Sequence, residues 1–297
     1  MKPFGSNHMI EAAKTKRGLS LPLECAVFVA VYVVGALLRT LLVSAADAFV
    51  LLFTGAFLPT DIYILLTLLC SVVITVTVIL FCIKQQARDL TSLGLDVKQL
   101  IPEYAVGAVL GVGLLFATLL VCELLLPVQY TVHFVSTELW MLYLLGFLVQ
   151  GMSEEVLCRG YLMPSMARAH SLPVAVIGNS LLFALLHLGN QGITLVALLN
   201  IILFGILMSV YVLKRGNLWG ACAIHSLWNF AQGNLFGLPV SGLSTLPSPI
   251  VALFPESHPL IHGGSFGPEG GLATTAVLTL ALMATMVFMK PAKNDKS

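Results

Sequence analysis

Residues 139–161 read LWMLYLLGFLVQGMSEEVLCRGY. The run is long and apolar enough to cross a hydrocarbon core as one helix, which takes about 20 residues. Yet its second half carries Glu154, Glu155 and Arg159. A charged side chain at the bilayer centre costs roughly 2.5–3.5 kcal/mol on insertion scales, so a span that keeps three of them has a use for them. Outward from this stretch, further apolar runs of spanning length occur near 23–44, 62–83, 104–126, 172–188, 193–213, 218–236 and 272–289. The 297-residue chain is 58% hydrophobic and 10% charged, with a mean hydropathy of +0.96. Soluble domains carry about 25% charged residues. The expected fold is therefore all-α, a polytopic membrane protein with about eight transmembrane helices.

The pattern divides the chain into a cytoplasmic N-terminal segment (1–22), N-terminal transmembrane helices (23–135) and a motif-bearing transmembrane core (136–236). An external loop rich in Gly, Pro and Ser (237–271) and a last helix with its tail (272–297) follow. The short apolar run 48–58 reads as an interfacial or re-entrant piece. The basic N-terminus and Ser44-Ala45-Ala46 imitate a cleaved signal, but the run before them is long and contains Arg39, as in an uncleaved first span.

Orientation follows from the cations. Lys2, Lys14, Lys16, Arg17, Lys84, Arg88, Lys98, Arg168, Lys214, Arg215, Lys290, Lys293 and Lys296 all fall between alternate spans on one side. The other-side loops hold no Lys or Arg, and only Arg39 and Arg159 lie within spans. By the positive-inside rule the chain is multi-pass in the cell membrane with both termini cytoplasmic. A net charge of +1 gives no basic surface for nucleic acid, so the expected partners are membrane lipid and a peptide or protein substrate. The six cysteines all sit in apolar runs without a C-x-x-C pair. They read as small buried hydrophobes, not as a disulfide framework or a zinc ribbon.

The polar residues inside the spans carry the chemistry. Glu155 and Arg159 are four apart and can pair on one helix face, while Glu154 points about 100° away. His187 follows Phe183 by four in the next span, and His225 precedes Asn229 by four in the seventh. With the turn near His170, Glu154 and His187 reach the same level of an antiparallel hairpin, about 25 Å from the turn. Peptide hydrolysis needs an activated water and donors for the tetrahedral oxyanion. Glu154 can accept the proton from water, His187 can hold and polarise that water, and His225 with Asn229 can donate to the oxyanion. A zinc-assisted version would draw ligands from Glu154, His187 and His225, but no H-E-x-x-H occurs. No metal and no cofactor is expected. A non-proteolytic transporter or scaffold is the rival reading. Asp47, Asp61, Asp89, Asp96 and Asp295 lie in loops, edges or tails, which leaves no intramembrane aspartyl dyad.

Glu154-Glu155-x-x-x-Arg159, Phe183-x-x-x-His187 and His225-x-x-x-Asn229, in that order on separate helices, resemble the CPBP family. These are the CaaX-protease and bacteriocin-processing (Abi) intramembrane glutamic endopeptidases. The resemblance covers roughly 136–236. It implies an eight-helix membrane fold and endopeptidase activity, with Glu154 as the catalytic glutamate and His187 as its water-holding partner. It further implies His225 and Asn229 as the oxyanion-stabilising pair and Glu155 with Arg159 as a supporting pair. The run 265–271 also looks like a loop of some bacterial members.

Other features have plainer readings. His258 and His262, with Glu256 and Glu269 nearby, are an external loop, since Pro259 breaks any common helix. Gly107, Gly111 and Gly113 form a helix-packing face. Arg39 snorkels outward or pairs with Asp47.

Overall fold

The computed structural model describes residues 7–14, 18–243 and 247–291. Of the cations counted above, Lys2, Lys16, Arg17, Lys293 and Lys296 lie outside the described residues, as do positions 244–246 of the long loop.

In chain order the elements are α1 (His8–Lys14), α2 (Leu21–Thr54), α3 (Thr60–Leu69), α4 (Val72–Gln86), α5 (Leu100–Leu125), β1 (Gln129–Val132), α6 (Thr137–Glu155), α7 (Met163–Ala169), α8 (Leu172–Leu185), α9 (Leu195–Arg215), α10 (Trp219–Phe230), β2 (Ile250–Leu253), α11 (Pro259–His262) and α12 (Leu272–Phe288). A π-helical segment, Val156–Leu162, joins α6 to α7, and another, Ala231–Leu235, extends α10.

Among the described residues five helical paths are long and apolar enough to cross a membrane: Leu21–Thr54, Thr60–Gln86, Val97–Leu125, Thr137–Ala169 and Leu195–Arg215. Helices α8 and α12 are apolar but shorter, and α10 has only 12 residues before its π extension. The run 48–58 is not a separate piece: α2 continues through Thr54 and stops at Gly55, whose φ of 75° closes the helix in the left-handed region. The 62–83 run is broken at Cys70 and Ser71 into α3 and α4.

The all-α expectation also needs a correction. Strands β1 and β2 pair antiparallel with Tyr130 opposite Ala252, tying the 237–271 loop to the end of α5. Each strand is four residues long, too short for alternation to separate it from an apolar loop.

Helix α5 packs closely on α10. A Cβ at Gly107 would sit 2.2 Å from Gly220 O, and one at Gly111 would sit 2.4 Å from Ile224 O, whereas one at Gly113 would meet nothing within 4 Å. The packing face is thus Gly107 and Gly111, with Gly113 off it. Since α10 carries His225 and Asn229, this contact sets the depth of two site residues. Gly111→Ala should cost about 1–3 kcal/mol by overpacking, read as a lower thermal midpoint in detergent, while Gly113→Ala should leave the midpoint unchanged or raise it. Equal effects at both positions would contradict the packing.

Candidate active site

The π-helical segment follows directly on Glu154 and Glu155. A π-turn widens the helix and shifts carbonyls out of their usual pairing. Arg88, buried beneath it, takes up two of them: its guanidinium donates to Gly160 O at 2.7 Å and to Tyr161 O at 3.1 Å. It also donates to Ser92 O and Ser165 Oγ. Arg88 is therefore a support beneath the motif helix.

Glu155 and Arg159 are both fully buried, and Arg159 Nη1 donates to Glu155 Oε1 at 2.9 Å. The guanidinium lies 4.6 Å over the Phe183 ring, a cation–π contact. Gly205 makes room for it, since a Cβ there would meet Arg159 Nη2 at 3.1 Å. The same Glu155 oxygen lies 2.9 Å from His225 Nδ1. A carboxylate only accepts, so Nδ1 carries the proton and Nε2 is turned to the other carboxylate, 3.6 Å from Glu154 Oε2. His225 thus stands between the two glutamates.

Glu154 is partly exposed, with 30% of its side chain accessible. Its Oε1 accepts from Gln150 Nε2 at 2.6 Å, and Gln150 Oε1 accepts from Asn229 Nδ2 at 3.2 Å. Glu154 Oε2 has no hydrogen-bond partner. The relay Asn229–Gln150–Glu154 commits one amide proton of Asn229 and leaves the other. His187 lies two residues beyond α8, with Nδ1 2.8 Å from Phe183 O. A carbonyl only accepts, so Nδ1–H donates to it and Nε2 is presented to the site.

A cleft of about 490 Å³ is lined by Glu154, His187, His225, Asn229 and Gln150, and Arg39 is on its wall. Arg39 Nε is buried without a hydrogen-bond partner. Asp47 instead accepts from Leu58 N–H at 2.8 Å. Behind the imidazoles a small chamber of about 30 Å³ is shared by His187, His225, Asn229, Ser241 and Glu269, room for a water or two. Among the described residues no group of three or more His, Cys, Asp and Glu is placed to hold a metal ion. His258 and His262 flank a single short helical turn, and His262 stacks on Phe254.

Sequence reasoning placed Glu269 in an external loop, but the loop folds inward. Glu269 Oε2 accepts from Ser241 N–H at 2.6 Å and from Ser241 Oγ–H at 2.9 Å. Asn200 Nδ2 holds the loop backbone at Glu269 O and Gly271 O. Burial pushes the Glu269 carboxyl up, against the pull of the Ser241 hydrogen bonds and of His187 and His225. The folded state therefore holds this proton more tightly than the unfolded chain does. Its contribution to stability is full below the ordinary glutamate value of about 4.3 and is lost as pH rises through the raised one. Glu269→Gln should remove that loss. The variant's thermal midpoint, measured against the parent, should be level in acid and rise above it toward neutral pH. A constant difference across the range would show that the carboxyl does not titrate there.

Searches of curated proteins and of solved structures give no match for this chain. One family model, described as Rce1-like, type II CAAX prenyl endopeptidase Rce1-like, matches residues 136–231. That segment runs from the start of α6 through α10 and holds all seven motif residues. Over residues 136–231 the chain is similar to this Rce1-like family, and the matched stretch contains the CPBP-like motifs.

Proposed function

We propose that the protein is an intramembrane endopeptidase that hydrolyses peptide bonds of membrane-associated proteins or peptides. The observation that carries this reading is the convergence of Glu154, His187, His225 and Asn229, drawn from three separate helical paths, on one cleft. Glu154 is the general base. Its Oε2 removes a proton from a water held at His187 Nε2, the hydroxide adds to the scissile carbonyl, and the oxyanion is met by the remaining Asn229 N–H and by His225. Donation from His225 Nε2 requires the doubly protonated ring, for which Glu155 and Glu154 are the counter-charges. The proton on Glu154 then passes to the leaving amine. Glu155 and Arg159 keep His225 in place.

In this reading the chain crosses the cell membrane eight times, with α8, α10 and α12 as the shorter passages and both termini in the cytoplasm. Arg39, among the described residues the only Lys or Arg on the cleft wall, receives an acidic side chain or a terminal carboxylate of the substrate. The chemistry uses the protein's own groups, without zinc.

The test is cleavage of a peptide library by purified protein in heavy-oxygen water. The expected products carry one heavy oxygen at the new carboxyl terminus, and EDTA or phenanthroline leaves the rate unchanged. Loss of cleavage that zinc restores would overturn the metal-free mechanism. Absence of any cleaved peptide would turn the reading toward a transporter or scaffold.

A further inference from the structure

The helices of the core alternate in direction, and contacts between their ends align them. At one end Arg215 pairs with Glu103, Arg168 Nη2 donates to Leu19 O, and Lys214 Nζ donates to Met286 O. Among the described residues, the Lys and Arg outside the spans (Lys14, Lys84, Arg88, Lys98, Arg168, Lys214, Arg215 and Lys290) belong to segments at this end. At the other end Trp140 Nε1 donates to Asn234 O, and Asn190 Nδ2 donates to Ser241 O. Among the described residues no Lys or Arg stands in the loops there.

The cleft is not placed evenly between the two ends. Its rim includes Gly189, Asn190, Gln191, Ser241 and Gly242, all from the two loops at the cation-free end. Toward the cation end Leu93, Leu157, Tyr161, Leu218 and Cys222 are at most 1% exposed, and Leu157 is itself on the cleft wall. Helix α8 leads away from the cation end for 14 residues before His187 is reached, a rise of about 21 Å. The floor is closed and the rim is open on the opposite side.

We propose that the catalytic cleft opens on the non-cytoplasmic face of the membrane, so that its substrates are peptide segments that have already crossed: exported peptides, or the outer flanks of membrane proteins. The inference deepens the protease reading and rests on it for the word substrate. The side of the cleft rests only on the cation distribution and on the packing. A peptide confined to the cytosol meets the closed floor.

Two exposed positions report the sidedness: Gln191 at the rim and Lys98 at the cation end. Single Gln191→Cys and Lys98→Cys variants, made in the native-cysteine chain with the parent's labelling subtracted, are treated with a membrane-impermeant maleimide. Gln191→Cys should react in intact spheroplasts and Lys98→Cys only in inverted vesicles. The reverse pattern would overturn the proposal, as would a Gln191→Cys that reacts only from the cytoplasmic side or only after denaturation.

A second readout adds a hydrophilic peptide substrate, known to be cut by the purified protein, to the same two preparations. Cleavage is expected in spheroplasts of the parent and lost in Glu154→Gln, and cleavage confined to inverted vesicles would overturn the proposal. If the purified protein cuts no peptide while Gln191→Cys reacts from outside, the protease reading fails and the sidedness of the cleft stands.

Discussion

Glu154→Gln should lower the rate of peptide cleavage by about 10²- to 10⁴-fold, the range that a positioned general base contributes, and leave the fold intact. The substitution is nearly isosteric. Its amide oxygen can still accept from Gln150 Nε2, which now donates to Glu154 Oε1 at 2.6 Å, so the Asn229–Gln150 relay survives. What disappears is the basic oxygen, Oε2, which has no hydrogen-bond partner and lies 3.6 Å from His225 Nε2. The ion pair of Glu155 and Arg159 lies about 100° around the helix and keeps its own hydrogen bond. The prediction is therefore a loss in kcat, with an unchanged thermal midpoint and little change in KM. Cleavage near the parental rate would remove Glu154 from the role of base. A collapse of the midpoint would mean that the residue is structural.

Much of this site could be read from the sequence because intramembrane charge is costly enough to be visible against an apolar background. Glu154, Glu155, Arg159, His187, His225 and Asn229 stand out for that reason, and helical spacing of four sorted them into faces. Gln150 did not stand out. An amide in an apolar run is an ordinary feature of helix–helix packing, and only the fold brings it within 3.2 Å of Asn229. Glu269 was hidden for a different reason. It sits in a loop of Gly, Pro and Ser, where local pattern says nothing of tertiary placement, and its inward course depends on Asn200 and Ser241 at long sequence separation. Arg88 looked like one more positive-inside cation, since nothing local signals that a π-turn above it presents two carbonyls. The extent of the bundle was legible from hydropathy: α12 ends within a residue of its apolar run, and α10 with its π extension reaches Leu235. Helix α8 stops at Leu185, short of its run, because the turn that follows it is apolar too.

Arg159→Leu should destabilise the protein by about 3–5 kcal/mol, the usual cost of leaving one partner of a buried ion pair uncompensated. Arg159 and Glu155 are both at 0% exposure, so water does not replace the lost guanidinium. Arg159 makes one hydrogen bond, to Glu155, while its Nε and Nη2 have none. Its hold on the site is therefore the ion pair plus the face of Phe183. The remaining counter-charge for Glu155 in the variant is His225, whose ring would be drawn away from its poise between the two glutamates. Cleavage should fall together with the thermal midpoint. The double variant Arg159→Leu with Glu155→Leu separates these effects. Replacing a buried pair by apolar side chains is often neutral or stabilising, so the midpoint should recover most of the loss. Cleavage should stay low, because His225 Nδ1 no longer has the carboxylate that fixes its tautomer. Recovery of both stability and cleavage in the double variant would reduce the pair to packing and remove it from the positioning of His225.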